Sequence, residues 1–231
     1  MIRHLALFLL AASTPLGAAG LPRSFTVTSF DRVRIEGNYL VTLATGRAPF
    51  ARAEGRARDL DAIDLRVEGR TLILRQRSNQ GSDGSGPPVR IALGTPDLRS
   101  AALLGAGSLT IDRLKGLSVD VAVQGPGQLK VAHVTADRLG AGVQGSGSLT
   151  LAGKVETATL TARGTAVLAA GNLSADQVTI AAEGGSEVDA LATARATVTA
   201  AGPVQVRLAG KPSCTLRVSG SASVSGCGAK R

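Results

Sequence analysis

Histidine, cysteine and aromatic residues are nearly missing from this chain, and each gap removes a class of chemistry. Two histidines occur among 231 residues. His4 falls in a leader-like N-terminal stretch, which leaves His133 alone. A solitary imidazole provides neither a nucleophile–base pair nor a Cys/His metal cluster. His133, in a turn after Lys130-Val-Ala, reads as a solvated surface residue. There is no Trp, one Tyr and only four Phe. Platforms on which bases could stack are therefore lacking, and no nucleic-acid partner is expected. The net charge of +9 does not alter this. Its charges alternate in sign rather than cluster, which suits solubility as well as attraction to anionic surfaces. Long apolar runs are missing too. The run at 5–12 is far short of the ~20 residues that a membrane helix needs.

What the chain has instead is glycine, 29 of them, and seven recur with a period. Gly105, Gly125, Gly145, Gly164, Gly184, Gly202 and Gly220 each open the pattern Gly-x-small-x-aliphatic. Leu109, Leu129, Leu149, Leu168, Val188, Val206 and Val224 fill the fifth place without exception. A repeat of about twenty residues is the mark of a solenoid. Short alternating runs precede each glycine, as in Leu117-Ser-Val119-Asp-Val121-Ala-Val123, and a second strand follows, as in Leu129-Lys-Val131. Alternation of period two means a strand with one buried face. Each repeat is thus strand, sharp glycine corner, strand and looser return. The interior is built of Val, Leu, Ile and Ala, which suits a narrow coil stacked on its neighbours. About seven coils are expected.

Taken in order, residues 1–20 have the basic start, apolar run and small residues (Gly17, Ala18, Ala19) of a secretory signal peptide. Residues 21–93 differ in texture and are expected to form an N-terminal β cap with the first strands. Val67-Glu-Gly-Arg-Thr-Leu72 reads as a hairpin within it. Phe25, Phe30, Tyr39 and Phe50 all lie in this segment. Its expected task is to cover the open strand edges of the first coil. The Gly- and Ser-rich stretch 78–88 reads as a protruding loop. Residues 94–231 carry the coils and a C-terminal cap. Cys214 and Cys227 lie there, and in an exported chain an oxidising compartment favours a disulfide between them. Two free thiols are the alternative.

The coils carry few groups suited to catalysis. Glu183, Glu187 and Asp189 cluster near one turn and could serve a polysaccharide-cleaving enzyme, which needs two carboxyls at a set separation. Outward carboxylates on a solvated turn are the simpler reading. The Gly-x-Gly stretches at 105–107, 125–127 and 145–147 lack the third glycine and helix of a dinucleotide site. No catalytic residue, metal ligand or cofactor is assigned. Thr159, Thr179, Thr197 and Thr215 would form an outward column if the coils stack in register, with Thr161 and Thr199 beside it. Strand propensity alone accounts for them.

The order Phe25-x-Val27, Gly37 then Leu40-Val-Thr-Leu43, Val67-Glu-Gly-Arg-Thr-Leu72, Pro96-Asp-Leu98, then Leu104-Gly-Ala-Gly-Ser-Leu109 and Gln124-Gly-Pro-Gly-Gln-Leu129 resembles the GIN-domain family, whose members are described as auto-transporter adhesin head domains. The resemblance implies an exported bacterial protein with a right-handed parallel β-helix, and no catalytic residues. Nothing here resembles the C-terminal membrane barrel of an autotransporter. The expected protein is therefore all-β, exported to the periplasm or cell surface, and non-catalytic. It would present a repetitive face to a surface glycan, an envelope component or a protein. Acidic-glycan cleavage and a purely structural envelope role are the alternatives. The candidate contacts are the loop at 78–88 and basic residues of the cap.

Overall fold

Residues of alternating polarity cannot rest in water with both faces exposed, and this chain solves the problem by stacking strands into a coil. The computed structural model describes residues 22–77 and 87–227. The expected signal peptide and most of the loop at 78–88 lie outside them. Strand accounts for 74% of the structure, wound as a β-solenoid of about six turns. Seven glycine corners of the repeat bound six complete circuits, and among the described residues the last corner is followed by a short strand.

The N-terminal segment gives β1 (Arg23–Phe25), β2 (Arg32–Glu36), β3 (Tyr39–Thr45), β4 (Phe50–Glu54), a single-turn helix α1 (Ala57–Asp61), β5 (Ile63–Glu68), β6 (Thr71–Gln76) and β7 (Val89–Thr95). The coils follow as β8 (Ser100–Leu104), β9 (Ser108–Gln124), β10 (Gln128–Gly145), β11 (Ser148–Gly164), β12 (Val167–Gly184) and β13 (Glu187–Ala201). The end is formed by β14 (Gln205–Gly210), β15 (Ser213–Ser219) and β16 (Ser223–Ser225). From β8 onward every pairing is parallel, with Leu109 beside Leu129, Leu129 beside Leu149 and Leu149 beside Leu168.

Register turns the sequence pattern into columns. The fifth-place aliphatics stack inward, and Leu109, Leu149, Leu168 and Val188 are fully buried. A second inward column is Val119, Leu139, Ala158, Val178 and Ala196. Each large side chain so buried contributes about 1.5–3 kcal/mol. Small changes in coil length are absorbed away from the corners, where the register slips between Thr150 and Ala152 and between Ala170 and Ser174.

The corner glycines form one column, and it begins earlier than the repeat. Gly37, between β2 and β3, has φ of 116° and lies over Gly105, whose φ is 110°. Side chains with a Cβ rarely adopt such angles. The third place of the motif points into the coil. Gly107, Gly127 and Gly147 are buried, and in later coils the place is filled by Ala166, Ser186 and Val204.

At the N-terminal end the order of levels departs from the order of the chain. β2 and β3 form one level around Gly37. β6 pairs parallel with β2 on one side, and β7 pairs parallel with β3 on the same side. β6 and β7 thus lie on one further level. The chain then passes back across the Gly37 level, and β8 and β9 pair on its other side. Hydrogen bonds fasten this crossing. The Thr95 hydroxyl donates to the Phe30 carbonyl, and the amide of Arg99 donates to the Asp31 carbonyl at 2.8 Å. The Asp31 carboxylate is buried and receives Arg70 at 3.0 Å, with Arg99 at 3.9 Å. Antiparallel additions close this end: β5 on β6, β4 on β7 and β1 on β4. Among the described residues no strand covers the other end, and the inward-column residues Leu216 and Val218 are 45% and 46% exposed.

Candidate functional site

Adding β4 to β7 antiparallel extends one outer face of the solenoid beyond its parallel stack. In β4, Ala51 and Ala53 turn inward, so Phe50, Arg52 and Glu54 turn out. In β7, Val89, Ile91 and Leu93 turn inward, so Arg90 and Ala92 turn out. In β3 the outward residues are Leu40 and Thr42. Together with Ser108 and Thr110 of β9, these side chains line a groove of about 570 Å³. That size falls in the range of small-ligand sites.

Register fixes the pattern of its floor. One row across the strands reads Glu54, Arg90, Leu40, Ser108, and the next reads Arg52, Ala92, Thr42, Thr110. Phe50 lies opposite Gly94, and a Cβ added to Gly94 would meet the Phe50 ring at 2.2 Å. The ring therefore fills the space that a side chain at 94 would take. Leu40, Ala92 and Phe50, all half-buried, make a diagonal apolar strip. Arg90 and Arg52 make a parallel diagonal beside it. Neither guanidinium has an ion-pair or hydrogen-bond partner among the described residues. Most other arginines of this segment are engaged, as Arg23 is with Asp61 at 2.6 Å and Arg75 with Asp64 at 2.8 Å. The Asp64 bond raises the pKa of Arg75 above its ordinary value.

Of the carboxylates named from the sequence, Glu187 and Asp189 are brought together on one arginine, and Glu183 is held by another. Glu183 precedes the Gly184 corner and meets Arg163 at 3.4 Å. Glu187 and Asp189 follow the corner on another face, and both bind Arg207, Asp189 at 2.8 Å. Two separate ion-pair groups stand where a single reaction centre would need convergence. The threonine column does form: Thr159, Thr179, Thr197 and Thr215 are register partners. In the neighbouring column Ala181 and Arg217 interrupt Thr161 and Thr199. His133 is exposed beside Arg113 within strand β10, not in the turn expected from the sequence. Cys214 and Cys227 are joined in a disulfide. Among the described residues no group of three or more His, Cys, Asp or Glu could hold a metal ion, and no helix is long and apolar enough to cross a membrane.

The sequence pointed to basic residues of the N-terminal segment without selecting any, and it missed Leu40, Phe50 and Ala92 altogether. Their signal was the outward half of the alternation in Phe50-Ala-Arg-Ala-Glu54 and Val89-Arg-Ile-Ala-Leu93. That pattern shows which residues face out, but not which strands become neighbours.

Comparison with known proteins places these features in a wider group. A family model described as "Putative auto-transporter adhesin, head GIN domain" matches residues 29–212. No curated protein sequence matches. Among solved structures, a putative adhesin from Bacteroides fragilis NCTC 9343 superposes with a TM-score of 0.80 at 20% identity, covering 88% of this chain and 94% of that one. A putative adhesin from Parabacteroides merdae ATCC 43184 gives 0.71 at 15% identity, with 88% and 94% covered. A putative lipid binding protein from Parabacteroides distasonis ATCC 8503 gives 0.69 at 17%, with 88% and 95% covered. At such identities the likeness is one of fold.

Proposed function

Because the chain belongs to the family of auto-transporter adhesin head GIN domains, we propose that it is a non-catalytic, exported binding module whose contact site is the groove beside Arg52 and Arg90. The observation that carries this reading is the pair of unpartnered guanidiniums on an apolar floor. Both are exposed and so within reach of a ligand. Two cations left free beside an apolar groove favour an anionic group brought from outside. The neighbours described as adhesins support a binding role in general terms. Export is supported by the apolar leader at 5–12 and by the disulfide, since such bonds persist in oxidising compartments. A non-enzymatic role is supported by the separation of Glu183 from Glu187 and Asp189, the first held by Arg163 and the other two by Arg207.

The test is binding of the purified protein to an array of surface glycans and envelope extracts, at low and at raised salt. The comparison protein is the double variant Arg52→Gln/Arg90→Gln. Saturable binding that survives salt and is lost in the variant supports the groove. Equal binding by both proteins removes the groove from the account. Disappearance of all signal at raised salt would leave only diffuse attraction of net charge. Release of unsaturated or reducing sugar ends would overturn the non-enzymatic reading.

A further inference from the structure

The shape of the groove narrows the chemistry of its occupant. Its apolar strip is one side chain wide and crosses three strands obliquely. With strands ~4.8 Å apart and ~3.3 Å of rise per residue, Leu40 to Phe50 spans roughly 16 Å, the length of an extended hydrocarbon of about a dozen carbons. Arg52 and Arg90 are set one strand and two residues apart, roughly 8 Å between Cα atoms, so both guanidiniums can close on one oxyanion. Arg90 flanks the Leu40–Ala92 half of the strip and Arg52 the Ala92–Phe50 half, with Glu54 across from Arg90 on the outer side. On the opposite side the strip meets Thr42 and, beside Leu40, Ser108. A polar ring would find hydroxyl partners along one side only.

We propose that this groove binds a single-chain acyl anion. The carboxylate or phosphate lies between Arg52 and Arg90, beside Ala92, and the hydrocarbon runs from there along the strip over Phe50. The proposal rests on the groove being the binding site. It adds that the ligand must be both anionic and linear-apolar. The anion supplies the partner that the two arginines lack. The chain covers a strip that the fold leaves half-exposed, and covering it removes apolar surface from water.

The experiment is calorimetric titration of the purified protein with dodecanoate and with dodecyl phosphate, both below micelle formation. Acetate and inorganic phosphate provide the head alone, dodecyl glucoside the chain without charge, and glucuronate the charge on a polar body. Dodecanoate or dodecyl phosphate should bind at least about tenfold more tightly than any of these four. Arg52→Gln/Arg90→Gln should lose about tenfold or more of that affinity. Ala92→Phe, which fills the strip from its outer surface, should abolish acyl binding. Circular dichroism confirms that both variants are folded. Glucuronate binding as tightly as dodecanoate would overturn the proposal, as would acyl binding indifferent to both variants. Adsorption to anionic vesicles without binding of the monomeric amphiphiles would do the same, by making the site a membrane-surface contact. If acyl anions fail but array binding still depends on Arg52 and Arg90, the groove stands as the site and only the ligand class falls. If neither depends on them, both readings fall together.

Discussion

The third-place glycine Gly127 lies so close beneath Gly105 that a Cβ at 127 would sit 2.6 Å from the Gly105 carbonyl oxygen. The same atom would be 2.8 Å from the Leu103 side chain. Backbone above and packed leucine beside leave no room to give. Gly127→Ala should therefore destabilise the protein by about 2–3 kcal/mol through overpacking. Gly69 provides the contrast: its φ is +59°, but nothing lies within 4 Å of the place a methyl would take. Gly69→Ala should cost only about 1–2 kcal/mol, from the backbone angle alone. Urea unfolding of the two variants separates the steric cost from the conformational one.

Reduction of the Cys214–Cys227 bond should act locally before it acts globally. The bond closes a loop of 13 residues and holds β15 near the tail at the C-terminal end. Loop-closure entropy assigns it about 3 kcal/mol. Hydrogen exchange on the reduced protein should show protection lost first over 213–225, while amides of β9 and β10 keep theirs. Loss spread evenly along the coils would contradict a local role.

Tyr39 is the chain's one tyrosine, and burial raises its pKa above the ordinary value of 10.0. The folded state thus holds the phenolic proton more tightly than the unfolded state does. The stability linked to this group is fully present below pH 10.0 and is lost as pH rises through the folded pKa. An alkaline titration followed by ultraviolet difference absorbance should show native ionisation displaced upward from that of the urea-unfolded chain. With no Trp in the sequence, the signal belongs to Tyr39 alone.

Replacing Arg207 by Gln removes the shared partner of Glu187 and Asp189, but all three side chains are at least one-third exposed. Exposed ion pairs are typically worth less than about 1 kcal/mol. Arg207→Gln should shift the melting temperature only slightly and leave groove binding unchanged. A large loss of binding would move the functional site to the other end of the outer face.

The coils were legible because their information is local. Leu109, Leu129 and Leu149 recur at nearly constant spacing, so stacking follows once each repeat is seen as one circuit. The N-terminal levels were not legible in that way. Gly37 belongs to the glycine column, yet its neighbour in space is Gly105, and the long excursion between them hides the period. Val89 pairs with Tyr39, and Phe50 with Gly94, through contacts that no repeat announces. The groove inherits this difficulty, since Leu40, Arg52, Arg90 and Ser108 come from four separate stretches. The threonine column and the disulfide lay within or beside the periodic region, where register can be read by counting.

The crossing of residues 95–99 over the Gly37 level has a hereditary consequence. Between Gly105 and Gly220 each circuit pairs only with its two neighbours, so a whole repeat can be duplicated or deleted with the chain still connected in the same sense. Before residue 99 an inserted repeat would have to wedge between levels that the crossing holds at once. Descent can therefore lengthen or shorten the rod from one side only. The groove, built on the end that cannot be extended, keeps its address while the distance behind it varies.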